Sequence, residues 1–377
     1  MNFKRMQTVE MALSPGRVLI IYGPRRIGKT TLLKEYLKKQ EENSSKKIAY
    51  FIGDDIRIRE LFASQIRDTI LDFSSSYDIV AIDEAQQINA IGLGTKMIID
   101  TYPEKEIFLT GSSSFDLSNK IGEPLTGRHF TLTLLPISQK EMTLSHFELK
   151  NSLENFLLYG TYPEILITQS TTQKERILNE LVSSYLYKDV LVLDKIKSPD
   201  LLRDIARMIA LQIGCEVSLN EIAVSLKTDA KTVARYLDLL EKMFVIKKVR
   251  GFSRNLRNEI TKKAKYYFLD LGVRNAIIGQ FSALDVRNDV GALWENFVFM
   301  ELYKQSTISD LSDNYYFWRT HSGAEIDIIK ESHGKIIAFE CKWNAKKTPR
   351  APKTFCDAYP DALFNVINPE NYLDFIL

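Results

Sequence analysis

Cysteine is scarce in this chain, with three residues among 377. Cys215, Cys341 and Cys356 are too few and too scattered for a disulfide scaffold or a zinc site, and are expected as reduced thiols. The four histidines, His129, His146, His321 and His333, show no metal-ligand spacing. No apolar run approaches the roughly 20 residues that a membrane-crossing helix needs. The opening residues MNFKRMQTVEM lack the apolar core of a signal peptide. These absences predict a soluble, cytoplasmic protein without a membrane partner. An excess of one charge is also missing: 50 Lys+Arg stand against 48 Asp+Glu, for a net charge of +2. That total gives no sign of strong attraction to nucleic acid, but an average over several domains hides local stripes. Internal repeats, low-complexity tracts and long linkers are lacking too.

What is present is an ordinary globular composition, 45% apolar and 26% charged, which excludes a disordered or fibrous chain. At about 100–200 residues per domain, the length predicts two or three domains. The first third alternates short apolar runs with helical patterns. Strands are expected at 18–22, 48–52, 79–82 and 107–110, and a helix from about Lys29 to Lys39. Continuous apolar strands separated by helices predict a parallel sheet covered on both faces. After a further strand over 130–135, Pro136 breaks the pattern, and 145–199 reads as helical. Residues 200–270 form a helical block ending in two short strands, and from Gly291 a helix leads into a β-rich tail.

Gly23-Pro24-Arg25-Arg26-Ile27-Gly28-Lys29-Thr30, followed by Thr31, fits G-x-x-x-x-G-K-[ST] between a buried strand and a helix. The glycines let the backbone wrap around phosphates, and its N–H groups and the helix N-terminus point at them. Lys29 would bridge the β- and γ-phosphates of ATP, and Thr30 would ligate Mg²⁺. Asp83-Glu84 ends the apolar run 79–82, at the ligand-binding edge of such a sheet. Asp83 would hold Mg²⁺, and Glu84 would orient and deprotonate the attacking water. Thr110-Gly111-Ser112-Ser113-Ser114 follows the fourth strand, either to sense the γ-phosphate or as an ordinary helix-capping turn. Arg128 is a candidate arginine finger or sensor, with an ordinary surface arginine as the commoner reading. If it acted in trans it would imply a homo-oligomer.

Two further constellations lie beyond the phosphate loop. Ser218 and Glu221 predict a capping box opening one helix, and 231–242 predicts a second with Val233, Tyr236, Leu237 and Leu240 on one face. Strands over 244–246 and 266–269 would form a wing, giving a winged helix-turn-helix whose second helix enters the major groove of double-stranded DNA. Residues 230–265 carry eleven basic side chains against three acidic ones, a local +8 that leaves −6 for the rest of the chain. Such a patch is the footprint of phosphate-backbone binding; a protein-binding or lid element with a solvated lysine face is the other reading. In the tail, strands over 323–329 and 335–341 about a turn at Ser332-His333-Gly334 would place Asp327 opposite Phe339 and Glu340. Asp327, Glu340 and Lys342 would then share one small site, with Glu295 of the preceding helix as a third carboxylate. Two carboxylates can hold Mg²⁺, and a lysine can orient a water. The same residues could instead form an inactive fold or an exposed ion pair. Trp318 and Trp343 read as packing residues.

The phrases GPRRIGKTTLL, IDEAQ, LTGSSS, GRHFTLTLLPISQKE, YGTYPEIL and LYKDV together resemble a prokaryotic AAA+-type (ASCE P-loop) ATPase family that carries a nuclease-like domain at its C-terminus. Asp327 and Glu340-Cys341-Lys342 resemble the acid and E-x-K of the PD-(D/E)xK nucleases, with Glu295 matching the helix acid of some members and no proline before Asp327. The resemblance implies an α/β chain: a parallel-sheet P-loop ATPase core (1–144), a helical lid (145–199), a winged helix-turn-helix (200–270) and a mixed α/β nuclease-like domain (271–377). It implies an ATPase that couples nucleotide state to DNA binding and to metal-dependent cleavage. A non-cutting, ATP-switched DNA-binding regulator and an ATPase whose basic wing binds an acidic partner protein are the two alternatives.

Overall fold

The computed structural model describes residues 3–111, 124–184, 198–253, 264–320, 322–344, 346 and 348–377. Ser112, Ser113, Ser114, His321, the LYKDV phrase and the basic residues Arg254, Arg257, Lys262 and Lys263 lie outside them. The chain divides into two compact units. One comprises residues 5–135 with 242–244; the other comprises 1–4, 136–241 and 245–377.

The first unit is built on a five-stranded sheet in the order β2-β3-β4-β1-β5. Its strands are β1 (Val18–Tyr22), β2 (Ile48–Ile52), β3 (Ile79–Asp83), β4 (Glu106–Gly111) and β5 (His129–Thr133). Every pairing is parallel. The central strands β1 and β3 are buried along their whole length, which is why they read as unbroken apolar runs. The edge strands β2 and β5 are partly exposed. β4 stands between β1 and β3. Ile20, Ile82 and Leu109, all fully buried, join Phe62 and Ile98 in one core cluster. Because all five strands run the same way, their C-terminal ends share one edge of the sheet.

The second unit holds a seven-stranded sheet in the order β12-β11-β10-β9-β7-β8-β6. Its strands are β6 (Glu216–Val217), β7 (Ile246–Gly251), β8 (Ala264–Phe268), β9 (Asn314–Arg319), β10 (Glu325–Ser332), β11 (Lys335–Cys341) and β12 (Leu363–Ile367). The helix Leu219–Ser225 is capped by Ser218, whose Oγ accepts from Glu221 N at 3.4 Å. The helix Ala230–Lys242 buries Val233, Tyr236, Leu237 and Leu240, as its periodicity predicts, and also Leu239. The first expected wing strand is shifted: Phe244 has a left-handed backbone (φ 60), so the chain turns there and β7 starts at Ile246. β7 and β8 pair antiparallel, but they do not stand alone. β7 pairs with β9 in parallel at Arg250↔Tyr316 and Gly251↔Phe317, so the sheet runs on into the tail.

The tail hairpin keeps the predicted register. His333 and Gly334 both have positive φ (48 and 79), the geometry of a two-residue turn matched to strand twist. Ser332 pairs with Lys335 and Ile328 with Phe339, which sets Asp327 against Glu340. Trp318 is buried against Phe355, and Trp343 lies edge-on to Trp294 at 5.8 Å.

The Tyr159-Gly160-Thr161 phrase has a packing cause. Asp270 caps the helix Leu271–Ile278 by accepting from Val273 N at 3.1 Å, and also accepts from Thr161 N at 2.7 Å. Gly160 has φ +73, and a Cβ there would lie 2.0 Å from Asp270 Oδ1. Both the backbone and the space therefore demand glycine. Gly160→Ala is expected to destabilise the chain by more than about 1 kcal/mol, read as a lower denaturant midpoint at unchanged slope.

Candidate nucleotide site and the tail acids

The phosphate loop leaves the C-terminal end of β1. Gly23 lies so close to the chain after β5 that a Cβ would sit 2.3 Å from Leu134 O. Pro24 and Ile27 are buried and Arg25 half-buried, while Arg26 is exposed with φ 58. Arg5 braces the loop from outside, its Nη2 donating to Ile27 O at 2.8 Å. Gly28 is the N-cap of the helix Lys29–Asn43, with φ 98 and no side-chain cap. A Cβ on Gly28 would meet nothing within 4 Å, so this backbone faces open space. An uncapped N-terminus keeps its first N–H groups for an anion. Thr31, the third residue of the helix, is exposed.

Lys29 is buried and turns back onto the loop, its Nζ donating to Gly23 O at 2.9 Å and Pro24 O at 2.8 Å. Burial lowers its ammonium to about 8, against the opposing pull of Glu84 and Asp83. Asp83 ends β3, and Thr30 Oγ1 donates to its Oδ2 at 2.7 Å. Tyr50 OH donates to the same oxygen at 2.9 Å, and Thr110 Oγ1 donates to Oδ1. Thr110 also accepts from Glu84 N at 3.1 Å. Glu84 sits in the left-handed region (φ 52), and Gln86 Nε2 donates to its carboxylate. The structure thus brings Gly23, Gly28, Lys29, Thr30, Asp83, Glu84 and Thr110 to one edge of the sheet.

The sequence alone gives Tyr50 and Gln86 no role at the site. A tyrosine in an apolar strand reads as core, and only the β2–β3 pairing, Ile52↔Asp83, reveals where its hydroxyl goes. Burial and the bond to Asp83 push the Tyr50 hydroxyl well above its ordinary pKa, so it stays a donor.

Arg128 does not join this site. It precedes β5, and its carbonyl accepts from Val18 N at the start of β1. The five residues of β1 separate that edge from the phosphate loop, about 16 Å at 3.3 Å per residue and beyond the reach of an arginine side chain. Its guanidinium pairs instead with Asp100. Within a single chain the finger role is therefore corrected to a surface ion pair.

The tail acids converge as the hairpin register requires, but each is engaged by the protein itself. Asp327 Oδ2 accepts from Cys341 N at 2.8 Å, and Glu340 Oε1 accepts from Lys342 Nζ at 2.6 Å. Glu295, on the long helix Val290–Ile308, accepts from Lys265 Nζ at 2.9 Å and Tyr267 OH at 2.6 Å. Burial raises all three carboxyls, Glu295 to about 7 even with Lys265 pulling it down. Among the described residues, no group of three or more His, Cys, Asp or Glu is placed to hold a metal ion. The expected Mg²⁺ set of Glu295, Asp327 and Glu340 does not fit a cation as it stands. Lys265, counted in sequence with the basic patch, is buried on β8 and faces inward.

Sheet order and phosphate loop define the first unit as a P-loop fold of the α/β class. Comparison with known families agrees: residues 15–143 match the family described as "AAA domain". Residues 150–284 and 290–372 match two domains of unknown function, DUF8612 and DUF4143. Together these findings support an ATPase of the AAA+ P-loop type. An uncharacterized protein of Mycobacterium tuberculosis is 26% identical over 354 residues, covering 93% of this chain and 75% of its own length. One from Methanocaldococcus jannaschii is 24% identical over 382 residues, covering 96% and 82%. Among solved structures, a replication initiator DnaA bound to AMPPCP and single-stranded DNA is 20% identical, with 62% of this chain and 84% of that one covered at a TM-score of 0.33. No helix among the described residues is long and apolar enough to cross a membrane.

A phosphate beside Lys29 would replace the loop carbonyls and favour the ammonium. Nucleotide affinity is therefore expected to be full below pH 8 and to fall as pH rises through about 8, towards tenfold per unit. Equilibrium titration with a fluorescent ATP analogue between pH 6.5 and 9.5 checks this.

Proposed function

We propose that the chain binds ATP with Mg²⁺ at the phosphate loop, hydrolyses it, and couples nucleotide state to DNA binding without cutting DNA. One observation carries the ATP reading: Thr30 Oγ1 lies 2.7 Å from Asp83 Oδ2, and Lys29 and Glu84 are their neighbours along the chain. The empty space over Gly28 and the uncapped helix start fit a triphosphate. In this reading Lys29 straddles the β- and γ-phosphates, while the loop amides orient them. Thr30 and Asp83 would hold Mg²⁺, which supplies charge neutralisation between the phosphates when bound. Tyr50 and Thr110 fix the Asp83 carboxylate. Glu84 orients the attacking water and accepts its proton, once its carboxylate turns from Gln86.

The DNA reading rests on the helix Ala230–Lys242. Its solvent face carries Lys231, Ala234, Arg235 and Asp238, and β7 adds Lys248 and exposed Arg250. The wing remains a proposal, since much of its charge falls at 254–263, outside the described residues. We read 1–144 as the ATPase core, 145–199 as a lid, and 200–270 and 271–377 as a winged helix and a nuclease-like domain that share one sheet. The engagement of the tail acids by Lys265, Tyr267, Cys341 N–H and Lys342 favours a non-cutting domain over a nuclease.

Lys29→Ala is expected to bring ATP turnover to background, and Glu84→Gln to keep ATP binding while slowing hydrolysis by about 10²–10⁴-fold. Phosphate release and equilibrium binding, measured with and without duplex DNA, separate the two variants. Normal turnover in Lys29→Ala would sink the assignment. About five phosphate contacts would give a log–log slope of DNA affinity on salt near −4.5. A flat salt response, or no binding at low salt, would favour an acidic protein partner. Products resolved on a denaturing gel after incubation with Mg²⁺ or Mn²⁺ are expected to be uncut DNA.

A further inference from the structure

The tail acids are compensated from within the chain, and the source of that charge is specific. Lys265 and Tyr267 stand two apart on β8, so they share a face. Both reach the same oxygen, Glu295 Oε1, at 2.9 and 2.6 Å. The side chains of Lys265 and Glu295 are 7% and 12% exposed. Lys265 is thus paired directly with Glu295 and lies in the field of Asp327 as well. The third, Glu340, has Lys342 at 2.6 Å.

A divalent cation added beside Glu295 would sit next to a buried ammonium of like charge. In a low-dielectric setting that repulsion is not screened by solvent. Nor can Lys265 swing away cheaply, since its departure would strand the buried carboxylate of Glu295. Asp327 has further committed one oxygen to Cys341 N.

We infer that the Lys265 ammonium takes the place of a divalent cation in the tail, making Glu295, Asp327 and Lys265 a metal-free ion cluster that ties β8 to the long helix. The site keeps the acids of a metal centre and supplies their counter-charge covalently.

The test is a Mn²⁺ titration of the full chain without nucleotide, read from the electron paramagnetic resonance signal of free Mn²⁺. Binding at the tail is the portion that Asp327→Asn removes. With Lys265 in place, the unaltered chain and Asp327→Asn are expected to titrate alike. Lys265→Met is expected to gain one Mn²⁺ site at least about tenfold tighter than anything the unaltered chain holds there, and Asp327→Asn in that background should remove it. Loss of a Mn²⁺ site on Asp327→Asn with Lys265 intact would overturn the inference, as would a folded Lys265→Met chain that gains no site. If Lys265→Met does not fold, the comparison of the unaltered chain with Asp327→Asn decides alone. The readout is metal binding, so the result stands apart from the ATP and DNA assays.

Discussion

The first unit turns on one carboxylate. Asp83 ends a fully buried strand and accepts hydrogen bonds from three hydroxyls, those of Thr30, Tyr50 and Thr110. These come from the phosphate-loop helix, from β2 and from β4. Only the strand order brings them together, because β4 and β2 flank β3 on either side. Buried and partnered in this way, the Asp83 carboxylate stays aimed beside the loop. The Thr30 hydroxyl within 2.7 Å already sets side by side the two side chains that the proposed Mg²⁺ site would use.

The second unit follows a different logic. Its acids share a sheet face and a helix, as a metal site requires, yet their partners are lysines, a tyrosine and a backbone amide. The cluster also bridges two segments distant in sequence, since Lys265 precedes Glu295 by 30 residues and Asp327 follows it. β7 and β9 carry the same junction in backbone terms, so the helical block and the tail share one sheet.

The sequence made legible whatever depended on local pattern. The phosphate loop, the strands β1, β3 and β4, the helix 230–242 and the tail hairpin all follow from periodicity, turn residues or spacing. The Asp327–Glu340 register follows from the single turn at His333-Gly334. What stayed hidden needed contacts across strands. Tyr50 looked like core because its hydroxyl is indistinguishable from packing in a one-dimensional pattern. Lys265 looked like surface charge because lysine is usually exposed, and only burial beside Glu295 reveals its direction. Arg128 was a candidate finger by residue type alone, and the strand direction places it at the far edge of its own chain's sheet. Phe244 shifted a strand because its left-handed backbone has no composition signal.

The buried pair also constrains how this chain can change over generations. Replacing Lys265 alone strands a carboxylate, and replacing Glu295 alone strands an ammonium, each at a cost of about 3–5 kcal/mol. A typical domain has only about 5–15 kcal/mol to lose. Positions 265 and 295 are therefore coupled: a change at either is tolerated only where the other position, or a bound ion, supplies the missing charge.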